Sequence, residues 1–389
     1  MTAKPDLQER FRGIIIGTAV GDSLGLPAEG ISRQRGKKLF KGEWHHRLLR
    51  FPKFLKIRKS GQPRGVAPTL NRFGMISDDT EHTVFVAQSI LEHSDSSELF
   101  AKQFSKYLKW WLILLPAGVG WATLRSVIRL WIGFSPAKSG VYSAGNGPAM
   151  RSAVLGAFFA SDPCQMDKFL EVSTRITHTD PRALTGAKAV AYLTAWIIRE
   201  NLTVRPLSDS FLALLRSAGN QNDKEWNTLV DLISDGIKQN LSVEQFADQM
   251  ELSRGVTGYV YHTVPVVLYA CYKHFGNFED TLSAVLNCGG DTDTTGAIAG
   301  AIAGAVVGEQ SIPEEWIDGI LEYPLSVKVL KKIADALALK SDFLSFQNLG
   351  SLFPRYEALP RNVCGIVIRN LFFLCVILLH GFRRLFPPY

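Results

Sequence analysis

Two short runs of oxygen-bearing side chains offer metal chemistry: Ser77-Asp78-Asp79-Thr80 and Asp291-Thr292-Asp293-Thr294. Each sets two carboxylates beside hydroxyls, a compact group of hard oxygen donors. Close carboxylates repel one another unless a cation or solvent neutralises them. Mg²⁺ and Mn²⁺ take carboxylate, hydroxyl and water oxygens in octahedral geometry. Either cluster alone also matches the acidic first turn that helix capping and the helix dipole favour. Two such clusters, each beside a glycine-rich segment, favour a divalent-metal site used for hydrolysis. Neither follows the loop pattern of an EF-hand. His82 falls on the same helical face as Asp78 and Asp79, but hard cations prefer oxygen, so it reads as support or packing.

The elements that position these clusters are helices. Phe11, Ile14, Ile15 and Ala19 form one apolar stripe; Val84, Ala87, Ile90 and Leu91 form a second, and Trp121, Leu124, Ile128 and Trp131 a third. Further helices are expected near 147–160, 166–176, 182–199, 226–238, 243–250, 258–274, 279–286, 294–307 and 327–338. Ser161-Asp162-Pro163 and Asp180-Pro181 mark helix starts. Strand signals are scarce, so the fold class is all-α. Gly13, Gly17, Gly21 and Gly25 recur every four residues, as do Gly296, Gly300, Gly304 and Gly308. Each glycine costs a helix about 1 kcal/mol relative to alanine. Two buried helices in close backbone contact account for that pattern better than a membrane dimer does. The apolar stretch at 296–307 is shorter than the ~20 residues a span needs.

The 389 residues are 46% apolar and 20% charged, which suits a large globular core. The five cysteines are scattered without a CxxC motif, and nothing at the amino terminus reads as a secretory signal. Reduced, mostly buried thiols in a cytoplasmic protein are the expectation. The net charge of +7 conceals an uneven distribution. Twelve Lys or Arg against one acid between Arg33 and Arg64 give that stretch +11, leaving the remainder near −4. A basic loop over 31–74 suits either a polyanion or plain solvation, and no specific nucleic-acid partner is implied.

Five motifs occur in order: Gly21-Asp22-Ser23-Leu24-Gly25-Leu26-Pro27-Ala28-Glu29, Ser77-Asp78-Asp79-Thr80, Gly145-Asn146-Gly147-Pro148-Ala149-Met150-Arg151, Thr177-His178 with Gly186-Ala187, and Gly289-Gly290-Asp291-Thr292-Asp293-Thr294. Together they resemble the ADP-ribosylglycohydrolase family, which includes the dinitrogenase reductase-activating glycohydrolase. The resemblance implies a compact orthogonal multi-helix bundle over residues 8–340, with a binuclear Mg²⁺ or Mn²⁺ centre. It also implies cleavage of the bond between ADP-ribose and an acceptor. The substrate it implies is an ADP-ribosylated protein or a small ADP-ribosyl compound. By the same resemblance the metal ligands are Ser77, Asp78, Asp79, Asp291, Asp293 and Thr294. The candidate bases are Asp78, Asp79 and Glu29. Asn146, Gly147, His178 and Tyr142 fall to the substrate, with backbone amides at 146–147 meeting phosphate and Tyr142 either stacking on adenine or buried. Asp22 reads as a structural helix-end residue. A catalytically silent, crystallin-like member that binds ADP-ribose or serves structurally is the alternative. Such a chain is expected to have lost acidic ligands, yet all four aspartates are present.

Residues 341–389 form a C-terminal extension whose apolar helix is expected at 363–382. Arg369 and Asn370 interrupt its apolar run, which makes a transmembrane span marginal. The extension therefore either contacts a membrane surface or partner peripherally, or packs on its own domain.

Overall fold

The computed structural model describes residues 4–46, 73–220, 223–344 and 363–384. All its long elements are helices, and among the described residues β pairing is limited to isolated bridges. The first half comprises α1 (Leu7–Gly25), α2 (Arg33–Phe40), α3 (Asp78–Glu92), α4 (Ser97–Ile113), α5 (Trp121–Trp131), α6 (Pro136–Ser139), α7 (Gly147–Met150), α8 (Ala153–Phe158) and α9 (Pro163–Arg175). The second comprises α10 (Pro181–Arg199), α11 (Ser208–Ala218), α12 (Lys224–Lys238), α13 (Val243–Gln249), α14 (Val260–Lys273) and α15 (Phe278–Leu286). It closes with α16 (Thr292–Val307), α17 (Glu314–Asp318), α18 (Val327–Leu344) and α19 (Val363–Arg384).

The glycine ladders explain the centre of the bundle. Helices α1 and α16 run antiparallel, with Gly13 facing Gly304, Gly17 facing Gly300, Gly21 facing Gly296 and Gly25 facing Thr292. A Cβ added to any of these four α1 glycines would overlap the opposing backbone carbonyl. The pair is buried almost throughout, which offsets the poor intrinsic propensity of glycine. Its register carries the functional consequence. The C-terminal end of α1 meets the first turn of α16, where Thr292 Oγ1 donates to the Gly25 carbonyl at 2.7 Å.

Several expectations need correction. The helix expected over 147–160 divides into α7 and α8, separated at Arg151 and Ser152. Helices α4 and α11 fall outside the predicted set; α4 buries Phe100, Phe104, Leu108 and Trp111 yet also exposes Leu99, Trp110 and Ile113, which blurs its period. The basic stretch is not a loop throughout, because residues 33–40 form α2; residues 47–72 lie outside those described. Arg33 is buried and pairs with Asp248 at 2.5 Å, and Lys37 pairs with Glu244 at 2.6 Å. Those two cations hold α2 to α13 rather than wait for a polyanion. Three of the five free cysteines, Cys164, Cys364 and Cys375, are exposed rather than buried. Helix α18 continues to Leu344, past the boundary expected after residue 340.

Within the tail, Val363–Arg384 form α19, and the charge that interrupts its apolar run is its anchor. Arg369 is buried and bonds Glu322 at 2.7 and 2.8 Å, Glu81 at 3.2 Å and the Ile76 carbonyl at 2.7 Å. Asn370 donates to the Leu114 carbonyl at 2.7 Å, and Phe373 and Val376 pack with Leu26, Met75 and Ala117. Among the described residues no helix is long and apolar enough to cross a membrane.

Candidate active site

The two oxygen clusters sit on the first turns of α3 and α16. Ser77 caps α3, its hydroxyl accepting from the Asp79 amide at 3.3 Å. Asp22, projecting from α1, accepts from the amides of Ser77 (2.9 Å) and Thr80 (3.1 Å) and from the Thr80 hydroxyl at 2.5 Å. It is structural, as expected, but the helix end it serves is that of α3 rather than its own.

The second cluster is set by a glycine turn. Gly289 and Gly290 both have positive φ (69° and 86°), and a Cβ on Gly290 would strike the Val256 carbonyl. Gly290 also exchanges backbone bonds with the loop after α1, accepting from Gly30 at 2.7 Å and donating to Ile31 at 2.8 Å. That pairing brings Glu29 beside the aspartates.

The clusters meet at Asp79. Its Oδ2 accepts from Ser77 Oγ at 3.2 Å and from Thr294 Oγ1 at 3.3 Å, and its Oδ1 is buried with no hydrogen-bond partner. Burial, then the charges of Asp22, Asp78 and Asp291, pushes its carboxyl well above the usual range. Asp78 shifts the same way through burial and then Asp22, Glu81 and Glu29. Asp293 does so through burial, Glu29, Asp291 and Asp79. The structure thus brings Glu29, Ser77, Asp78, Asp79, Asp291, Asp293 and Thr294 to one site. Among the described residues no three His, Cys, Asp or Glu side chains converge tightly enough to hold an ion by themselves.

The residues expected at the substrate lie around this cluster. Asn146 Nδ2 donates to Asp291 Oδ2 at 2.7 Å and to Thr263 Oγ1 at 3.0 Å, so it orients the second cluster. Helix α7 is only four residues long, which leaves little dipole for a phosphate at Gly147. His178 lies under the glycine loop, where a Cβ on Gly145 would come within 2.9 Å of its Nε2. Burial and the nearby Arg151 guanidinium lower His178 to about 3, so the ring is neutral, and its Nδ1 pairs with Thr177 Oγ1 at 2.8 Å. Tyr142 is 73% exposed, which removes the buried alternative, and it bonds Asp180 outside the carboxylate cluster. His82 packs edge-on against Trp111 at 4.6 Å and carries no polar contact.

Arg151 and the Glu81–Arg369–Glu322 group were not legible as site residues. Arg151 is fully buried, stacks on Phe104 at 5.1 Å and bonds the Gly147 carbonyl (3.2 Å), the Ser173 carbonyl (2.9 Å) and Thr177 Oγ1 (2.7 Å). It fixes the glycine loop and the threonine that holds His178. A charge interrupting an apolar run, as Arg369 does, was the available signal for the second group.

Stability should report the crowded carboxylates. Asp22 is raised to about 6 and Glu81 to about 7, chiefly by burial, with Asp78, Asp79 and Asp293 also raised. Their unfolded values lie near 4, so above pH ~5 the folded state holds more protons than the unfolded state. Stability is fully present below the unfolded values and is lost as pH rises through the folded ones. His46, His82 and His178 shift downward on burial and act in the opposite sense only below their ordinary pKa of about 6.5. The melting temperature of chelator-treated protein is therefore expected to fall as pH rises from about 6.5 through the folded value of Glu81, about 7, and added Mg²⁺ or Mn²⁺ to reduce the fall. A flat profile would contradict the crowding.

The sequence pattern of the ADP-ribosylglycohydrolase family matches residues 3–344. The chain is 27% identical to the ADP-ribosyl-[dinitrogen reductase] glycohydrolase of Rhodospirillum rubrum, covering 86% of this chain and 98% of that protein. It is 27% identical to the ADP-ribosylhydrolase ARH3 of Gallus gallus (79% and 88% covered), and 29% identical to an uncharacterized protein of Archaeoglobus fulgidus (81% and 92%). A solved ADP-ribosylglycohydrolase-related protein complex shares the fold at a TM-score of 0.57, with 24% identity over 86% of this chain and 99% of that one. An all-helical bundle with a carboxylate cluster between two helix starts is thus the framework of a glycosidic-bond hydrolase. The chain belongs to the ADP-ribosylglycohydrolase family.

Proposed function

We propose that this protein is a metal-dependent hydrolase that cleaves the glycosidic bond between ADP-ribose and an acceptor. The observation that carries the reading is Asp79. It joins both clusters through Ser77 and Thr294 and keeps a buried carboxylate oxygen without a partner. A buried carboxyl crowded by other carboxyls is neutralised either by a proton or by a cation, and a cation can serve several of them at once. Ser77, Asp78, Asp79, Asp291, Asp293 and Thr294 supply the hard oxygens for it, and the limited convergence of the carboxylates means that hydroxyls and water complete the shell. Two bound Mg²⁺ or Mn²⁺ ions would neutralise the cluster and hold ribose hydroxyls beside a polarised water.

The remaining chemistry belongs to the chain. Breaking a ribosyl bond develops positive charge at the anomeric carbon, which suits a carboxylate-rich site. Asp78, Asp79 or Glu29 takes the proton of the attacking water. Asn146 keeps Asp291 in place. His178, neutral under the glycine loop, shapes the adjoining surface, and Tyr142 offers an exposed ring to adenine. The five unpaired cysteines support a cytoplasmic setting.

The test is ADP-ribose release from arginine-linked, serine-linked and small-molecule ADP-ribosyl substrates, with and without Mg²⁺ or Mn²⁺. At least one substrate is expected to turn over only with metal. No release from any of them by folded, metal-loaded protein would sink the reading.

A further inference from the structure

Exposed apolar side chains on this protein are concentrated rather than scattered. Of the twenty-three large apolar side chains exposed among the described residues, sixteen lie in two stretches, 110–134 and 363–382. The stretches meet, since Asn370 bonds the Leu114 carbonyl and Ile377 packs beside Ala117. Trp121 is 77% exposed and Leu115 57%, at the junction of α4 and α5. Helix α19 buries one face through Arg369, Phe373 and Val376, and turns Ile368, Phe372 and Leu379 outward.

The charge pattern of the same region is one-sided. Residues 99–150 contain six Lys or Arg and no Asp or Glu, and residues 363–384 contain no acid either. Lys106, Arg125 and Lys138 are exposed within it. We propose that this composite face is a peripheral docking surface for an anionic lipid bilayer, with α19 lying in the plane of the interface. Tryptophans beside lysines and arginines match the polar–apolar boundary of a bilayer, where rings sit at headgroup level and cations meet phosphate. A second copy is the poorer occupant, because facing two such surfaces would set like charges together. The helix lies on the membrane rather than through it, in keeping with the absence of a spanning helix among the described residues.

Docking would also bear on the candidate site. The buried face of α19 touches Leu26 and Met75, whose segments lead to Glu29 and Ser77. Helix α19 therefore lies between the exposed face and the segments that carry Glu29 and Ser77.

The test is flotation of the full-length protein with vesicles of phosphatidylcholine alone or with about 30% phosphatidylserine. Binding is expected only with the anionic vesicles, with loss near 1 M salt, where the Debye length is about 3 Å. Lys106→Gln with Arg125→Gln should weaken it by about twenty-five-fold, each charge near the surface being worth about a factor of five. Trp121→Ser with Phe372→Ser should abolish it while leaving the circular dichroism spectrum and metal binding intact. Overturning results are no flotation of wild-type protein, equal flotation with neutral vesicles, unchanged binding by the folded variants, or self-association that these substitutions abolish in its place.

Discussion

Asp79→Asn is expected to lower ADP-ribose release by about a thousandfold, within the range a positioned proton-transfer group contributes, while stabilising the metal-free protein. The two effects share one cause. Asp79 Oδ2 is the point where the clusters touch, at 3.2 Å from Ser77 Oγ and 3.3 Å from Thr294 Oγ1. Its ionised form is opposed by burial and by Asp22, Asp78 and Asp291. An amide of the same shape removes the repulsion and with it the demand for a cation. In chelator at pH 8 the variant should melt no lower than wild type. With Mg²⁺ or Mn²⁺ added, wild type should gain stability and the variant should not. Retention by Asp79→Asn of both turnover and metal-induced stabilisation would remove Asp79 from the site.

Arg369→Met should be the most damaging change outside the oxygen clusters. Arg369 meets Glu322, Glu81 and the Ile76 carbonyl in a buried setting. Burial lowers its pKa, but Glu81 and Glu322 outweigh that and hold it above its ordinary value. Removing the cation leaves two carboxylates facing each other away from water, at a cost of about 3–5 kcal/mol. With an unfolding entropy of about 2.1 cal/mol/K per residue, the melting temperature should drop by roughly 5 °C. Release of ADP-ribose should fall as well, because Ile76 precedes Ser77 and its amide is held by Glu322 at 3.1 Å. Arg369→Lys should recover part of the loss, keeping the charge without the forked contact. An unchanged melting temperature in Arg369→Met would mean that α19 merely rests on the domain.

What the sequence by itself determined here is local chemistry. Hard-oxygen clusters, glycine ladders and proline-marked helix starts act within a few residues, so the carboxylate-rich helix starts, close helix packing and all-helical class were legible. Asp291-Thr292-Asp293-Thr294 and the ladder at 296–308 could be read together because one helix carries both. Tertiary structure alone decided which groups meet. The register of Gly25 against Thr292 joins the two clusters, and the Gly290 turn brings in Glu29. Asp22 caps a helix 55 residues away, and Arg369 is buried against Glu81, 288 residues away. Asn146, which the sequence placed at the substrate, also bonds Asp291 across 145 residues. Such pairings depend on desolvation and on which surfaces the folded chain brings together. Spacing along the chain carries no record of either.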